Sequence, residues 1–456
     1  MSLLAQKLQE QVSKPGNRLP FQEIIPLNIG NPQAVGQKAV TFHRQVLSLL
    51  TNPELLDKDL YSADVHKRAK DFSEHVKFGA YSDSRGLLPM RELVANFIHL
   101  RDGWHLAEVD PASIYLTDGA SAAVKAAMEF LIRDADDGVL IPIPQYPLYS
   151  ASISNLGGTV VGYHLDEEAG WAVSMPAIEK AIEEFRRARP NGRLKGIVVI
   201  NPGNPTGNVM SREQMEAVVQ LSVDRGLVLL ADEVYQENVW TEKKRWLSFR
   251  KIALEMDLKA EIISFHSISK GYYGECGLRG GYMQLHNIDP KVQDQIYKMQ
   301  SLTLCANTLG QAMVASILNP PTHGDASYQK FNAERMAILD SLSRKSAIIS
   351  SRLNKLQGLS CQPAEGAMYA FPRLDLPSAA LRAAEAAGKP PDTFYCMALL
   401  EATGIVVVPG NGFHQKEGTW HFRITILPQE DKLPEVLDRF ETFHKAFMSK
   451  YSASEL

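Results

Sequence analysis

The stretch Ser264 to Gly281, S-F-H-S-I-S-K-G-Y-Y-G-E-C-G-L-R-G-G, decides how the chain is read. A short apolar run, Ile262-Ile263 with Phe265, feeds a serine-punctuated turn carrying Lys270, and a glycine-broken loop leads on to Arg279 and Gly280-Gly281-Tyr282. One amine and one guanidinium thus share a tight scaffold. Lysine is the side chain that forms Schiff bases once burial or neighbouring positive charge lowers its pKa. Arginine supplies a forked, permanent cation suited to phosphate, and Ser267 and Ser269 add hydroxyl and backbone donors. A lysine linked to an aldehyde that also carries a phosphate describes pyridoxal phosphate. The letters S-x-x-K-G by themselves equally suit a solvated loop lysine beside a surface arginine, so the rest of the chain has to decide.

Upstream, the same arrangement repeats: an apolar strand, then a polar exit. Leu227 to Leu230 breaks into Asp232-Glu233-Val234-Tyr235, and an acid at the carboxyl end of a buried strand is where open α/β sheets place functional carboxylates, although Asp232 taken alone also suits a solvated loop. Ile197 to Ile200 runs into N-P-G-N-P-T-G, Asn201 to Gly207, whose prolines and glycines suit holding an amide in place. A helix is predicted from Arg212 to Asp224, ended by Gly226. Gly138 to Ile141 is a strand that Pro142 and Pro144 should stop, leaving Tyr146 and Tyr149 at its exit to pack on the loop or, for Tyr146, to offer a flat face to an aromatic ring. Ile114 to Leu116 turns through Gly119-Ala120-Ser121 into an alanine-rich helix, whose free N–H groups make an anion cradle, though such joins are common. Thr159 to Tyr163 is a further strand, Ser174 caps a helix to Arg189, and Tyr81 lies in a polar loop before the helix Leu88 to Leu100. Gly30, in P-L-N-I-G-N-P, reads as a turn glycine.

The β-α-β-α order implies an α/β protein with a mostly parallel sheet, helices on both faces and a site along one edge. After Asn319-Pro320-Pro321 the character changes: a helix from Tyr328 to Leu356, strands at Ala367 to Phe371, Gly404 to Val408 and Thr419 to Leu427, and a helix from Leu433 to Lys450. These give a smaller α+β domain. The expected division is 1–60 as an N-terminal arm and part of the small domain, 61–325 as the large domain, and 326–456 as the small one. In Trp420 to Leu427, alternation sets Phe422, Ile424 and Ile426 on one face and His421, Arg423 and Thr425 on the other. Arg423 is then either an edge-strand charge or a carboxylate clamp facing the interdomain cleft.

Composition sets the bounds. With 456 residues, 45% hydrophobic and 22% charged, the chain suits two globular domains, and its net charge of -4 gives no electrostatic case for nucleic acid or an anionic membrane. The four cysteines, 276, 305, 361 and 396, form no C-x-x-C pair, which argues against a zinc site or disulfide framework and fits a reducing compartment. The N-terminus lacks the pattern of a secretory signal and no apolar run approaches membrane-spanning length, so a cytoplasmic location is expected, with an organelle open if a transit peptide was removed.

In that order, N-P-G-N-P-T-G, A-D-E-V-Y and S-I-S-K-G with G-L-R-G-G resemble the pyridoxal-phosphate-dependent aminotransferases of the aspartate aminotransferase fold, fold type I. The forms L-L-A-D-E-V-Y-Q-E-N-V, S-K-G-Y-Y-G-E-C-G-L-R-G-G-Y and G-I-V-V-V-P-G-N-G-F are most similar to the alanine aminotransferases of eukaryotes. The resemblance implies amino transfer between L-alanine and 2-oxoglutarate in a homodimer, with glutamate:glyoxylate exchange or another fold-type-I reaction as alternatives. It makes Lys270 the Schiff-base lysine and Asp232 the partner of the pyridine nitrogen. Asn204 and Tyr235 would bond the ring's phenolic oxygen, and Tyr146 would stack on its face. Ala120, Ser121, Ser267 and Arg279 would hold the phosphate, with Tyr81 arriving from the second subunit. Arg423, Gly30 and Asn204 would bind the substrate carboxylate, and Tyr369 would line the pocket.

Overall fold

The computed structural model describes residues 1–74 and 77–452. A seven-stranded sheet forms its centre, in the order Ile114–Thr117, Gly281–His286, Ile262–Ser267, Val228–Asp232, Arg193–Ile200, Asp137–Ile143, Thr159–His164. Six of these strands run in one direction, and Gly281–His286 alone is reversed, pairing antiparallel with both its neighbours. The fold is α/β, as the sequence leads one to expect.

The apolar strands are buried on both faces because successive side chains pack against different helices. Leu140, Ile197, Val199, Leu229, Ala231 and Ile262 join the helices Met175–Ala188, Arg212–Arg225 and Phe249–Glu255 in one core. Val139, Ile141, Val198, Ile200, Leu230 and Phe265 join Ala120–Leu131 and Leu148–Asn155 in another. Caps fix the helix ends. Ser174 Oγ accepts from Ala177 N, Ser211 and Gln214 cap each other reciprocally, and Gly226 closes the helix Arg212–Arg225 in the left-handed region.

One sequence expectation fails at Pro142, which lies inside its strand, paired with Tyr163. The ladder to Arg193–Ile200 ends at Leu140, so beyond it the strand is bonded on one side only, where a missing N–H is tolerated.

A further core gathers Tyr328–Leu353, Pro391–Thr403 and Leu433–Ser452 around short strands. The strands are shorter than expected: Tyr369–Ala370 and Val408–Pro409 both pair antiparallel with Phe422–Thr425. Phe422, Ile424 and Ile426 do face this core. The long helix ends at Leu353 rather than Leu356, where the Asn354 side chain takes up both polar groups of the Cys361 peptide. Near the N-terminus, Ile25–Pro26 pairs with Ile405–Val406, while the helix Thr41–Thr51 packs with Leu88–Asp102 and Thr308–Leu318. This return of the chain start to residues 405–406 brings Asn28 and Gly30 to the carboxyl ends of the parallel strands.

Candidate active site

Strands Val228–Asp232 and Ile262–Ser267 pair with Asp232 opposite Phe265, so the acid and the loop bearing Lys270 leave the sheet side by side. They open into a cleft of about 400 Å3 that Gly30, Ala120, Ser121, Tyr146, Asn204, Tyr235, Ser267, Arg279, Tyr369 and Arg423 also line. Twelve of the thirteen residues singled out from the sequence are thereby brought together. The exception is Tyr81, which is 81% exposed and outside the cleft of its own chain.

Asp232 sits deepest. Its Oδ2 accepts from Tyr149 Oη at 2.7 Å, and Oδ1 is 3.4 Å from Val234 N. Burial pushes its pKa up to about 6, against the opposing pull of the Tyr149 hydroxyl, the Val234 N–H and the Lys270 charge. A carboxyl so placed becomes a firm anion only opposite a cation.

Lys270 Nζ donates to Gly30 O at 2.8 Å. Here the turn reading of Gly30 gives way to close approach: a Cβ at this position would lie 2.1 Å from Tyr369 Oη and 3.1 Å from Lys270 Nζ. Tyr235 Oη donates to Tyr369 Oη at 3.2 Å. Although burial alone would raise the Tyr369 pKa, the charges of Lys270 and Arg423 outweigh it and hold the phenol below its ordinary value. Tyr146, half-buried, is shifted upward by desolvation.

The cleft holds two separate guanidinium groups. Arg423 Nη1 donates to Asn204 Oδ1 at 3.0 Å and Nη2 to Asn28 O at 2.7 Å, while its Cζ lies 4.2 Å from the centre of the Tyr369 ring and 5.0 Å from that of Phe413. Asn204 is immobilised by its loop, where Gly207 N bonds Gly203 O and Thr206 Oγ1 donates to Asn208 Oδ1 at 2.6 Å. Arg279 is in the left-handed region, with Nη1 donating to Cys276 O and Nη2 to Asp118 O. Its guanidinium lies against Gly119, where a Cβ would come within 2.4 Å of Nη2. Gly119 opens the helix Ala120–Leu131, so that cation and the helix N-terminus converge on one point.

These residues fit a phosphorylated aromatic aldehyde. Ser269 Oγ and Arg423 Nε are buried without a hydrogen-bond partner, donors awaiting acceptors. Gly119 and Gly30 keep open space that any side chain would fill. Ser267 Oγ already accepts from Ser269 N, which sets the turn. Among the described residues, no group of three or more His, Cys, Asp or Glu could hold a metal ion, and no helix is long and apolar enough to cross a membrane.

The sequence motifs carry Gly119 and Ser269 only as parts of a phosphate-binding turn and give Tyr149 no site role. The one sequence signal for Tyr149 is its place three residues after Tyr146 at the same strand exit. Its bond to Asp232 spans 83 residues of chain and has no local trace.

Comparison with known proteins agrees with this geometry. A family model for aminotransferase class I and II matches residues 44–440. Alanine aminotransferase 2 of Panicum miliaceum is 49% identical over 458 residues, 98% of this chain and 94% of that one. Glutamate–glyoxylate aminotransferase 1 of Arabidopsis thaliana is 45% identical over 441 residues, 94% and 90% of the two chains. A solved alanine aminotransferase from Pyrococcus furiosus superposes with a TM-score of 0.76 at 24% identity, covering 98% of this chain and 96% of that one, a likeness of fold.

Proposed function

The chain belongs to the class I and II aminotransferase family, and on that premise we propose that it is a pyridoxal 5'-phosphate-dependent alanine aminotransferase, exchanging amino groups between L-alanine and 2-oxoglutarate to give pyruvate and L-glutamate. The observation that carries this reading is one cleft shared by the Lys270 amine, the buried Asp232 carboxyl and the Arg423–Asn204 pair.

When bound, pyridoxal phosphate supplies an aldehyde to carry the amino group and a ring that accepts the electron pair released at the substrate Cα. Lys270 would hold the aldehyde, and its Nζ amine would move the proton at the substrate Cα. Asp232 would keep the ring nitrogen protonated, and a cation at that point would offset the burial that raises the pKa of the acid. Asn204 and Tyr235 serve the phenolic oxygen, and Tyr146 offers a flat face. Ala120, Ser121, Ser267 and Arg279 hold the phosphate, with Tyr81 supplied by the second subunit of a homodimer. Arg423, whose Nε is still free, holds the carboxylate that alanine and glutamate share, together with Asn204 and Gly30. Tyr369 lines the pocket. The cleft then lies between a large domain, 61–325, and a small one, 326–456, with 1–60 as the arm and part of the small domain.

Loaded protein given alanine alone should release one pyruvate per site and lose the aldehyde absorbance, and 2-oxoglutarate should restore it with one glutamate. Failure of alanine to give pyruvate while another amino acid reacts overturns the alanine assignment. The 45% identity to glutamate–glyoxylate aminotransferases supports a second reading, decided by kcat/KM for pyruvate against glyoxylate with glutamate as donor.

A further inference from the structure

Asn238 lies outside the cleft, is fully buried and touches all three backbones that carry Tyr235, Lys270 and Tyr369. Its N–H donates to Tyr235 O at 2.8 Å, and its C=O accepts from Ala367 N at 2.9 Å. The side chain pairs with both backbone groups of one residue. Oδ1 accepts from Gly271 N at 2.8 Å, and Nδ2 donates to Gly271 O at 3.2 Å. Both backbone groups and both ends of the amide are thus engaged, which leaves the residue no freedom to rotate.

The positions it grips need holding. Gly271 is left-handed, with φ of +67°, directly after Lys270. Ala367 also has a positive φ, 61°, which an alanine adopts only when its surroundings impose it. Between Ala367 and the Asn238 carbonyl there is room for glycine alone: a Cβ at Gly366 would lie 2.4 Å from Asn238 O. The three side chains so carried meet at one place, since Lys270 Nζ bonds Gly30 O, Tyr235 Oη bonds Tyr369 Oη, and Tyr369 closes over Gly30.

We propose that Asn238 is a positioning residue for the proton transfer, fixing the Lys270 loop in register with Tyr235 and with the Tyr369 segment. It acts through the Gly271 peptide and contacts no substrate. A hydrogen-bond acceptor and donor at amide spacing are both required. Aspartate at this position keeps the acceptor facing Gly271 N but sets a second buried oxygen against Gly271 O, and alanine removes both bonds. The inference rests on the transaminase reading, and one arm of its test does not use activity.

In cofactor-free protein, hydrogen exchange should be faster in residues 268–275 and 365–369 of Asn238→Ala than of the parent, while strand 137–143 is unchanged. In loaded protein, Asn238→Asp and Asn238→Ala should lower kcat with alanine about tenfold to a hundredfold, the scale of a roughly 1 Å misplacement. KM should stay within about threefold, and the isotope effect from Cα-deuterated alanine should rise. A fold defect would only reduce the number of working sites and leave that isotope effect unmoved. Folded variants with parental exchange in both segments and a parental isotope effect overturn the proposal. If the parent itself makes no pyruvate, the transaminase reading fails, while the exchange arm still reports on Asn238.

Discussion

Asp232 is held at a cost that depends on pH. Its folded pKa of about 6 exceeds the ~3.9 of an unfolded aspartate. Between those values the folded, cofactor-free protein keeps a proton that the unfolded chain gives up. Stability attributable to this residue is therefore complete below pH ~4 and is lost as pH rises through 6, by up to about 3 kcal/mol. Glu233, raised to about 7 mainly by burial, adds a loss of the same sign, so the two must be separated by comparing proteins. Cofactor-free Asp232→Asn should be more stable than the parent at pH 7.5 and approach it at pH 5 in denaturant titrations, while the loaded variant loses most of its turnover. Tyr149→Phe acts on the same atom. Removing the 2.7 Å donor leaves Oδ2 without it, raises the Asp232 pKa further, and should move the acid limb of kcat/KM toward neutral pH. Lys270 and Asp232 were legible in the sequence because ionisable groups at the ends of apolar strands stand out. Tyr149 and Asn238 were not, because a tyrosine and an asparagine acquire their roles from partners 83 and 33 residues away.

Strand-to-helix joins, the next scale up, place the groups proposed to bind the phosphate. At Gly119 two demands coincide, a φ of +77° and the Arg279 guanidinium where a Cβ would be. Gly226 shares the first demand, at +62°, but a Cβ there meets nothing within 4 Å among the described residues. Gly226→Ala should therefore lose about 1–2 kcal/mol of stability for the left-handed backbone, and Gly119→Ala about 1–3 kcal/mol, since its φ of +77° with ψ of 169° is a conformation that essentially glycine alone adopts. Only Gly119→Ala should also weaken pyridoxal phosphate binding, by tenfold or more in an absorbance titration, because it displaces Arg279. Equal loss of cofactor in both variants would mean that the contact with Arg279 does not matter. The parallel strands were readable because burial on two faces makes them uniformly apolar. The strand Gly281–His286 was not, because it is antiparallel and its Gln284 and His286 break the apolar run. In the C-terminal region, apolar alternation extends past the hydrogen-bonded ladder, so Tyr369–Ala370 and Phe422–Thr425 came out shorter than their patterns.

At the scale of the whole molecule, the cleft draws on segments from Asn28 to Arg423, and no local pattern reveals that Gly30 and Arg423 share it. Their meeting follows from the pairing of Ile25–Pro26 with Ile405–Val406, and only the family resemblance anticipated it. The proposed role of Tyr81 extends the same logic beyond one chain. It is exposed, and Ser82 N, bonded to Cys305 Sγ at 3.4 Å, ties its segment to the one bearing exposed Leu302 and Leu304. Apolar side chains gathered on a surface in this way suit contact with a second copy. If Tyr81 completes the partner's site, Tyr81→Ala and Lys270→Ala are defective in different subunits of that site. Each variant alone should show little activity. Refolded together, they form hybrids in which one of the two sites has both side chains intact, and random pairing should restore about a quarter of the parental sites. Activity that never exceeds the sum of the separate variants, in a mixture shown by sedimentation to be dimeric, would place Tyr81 outside the partner's site.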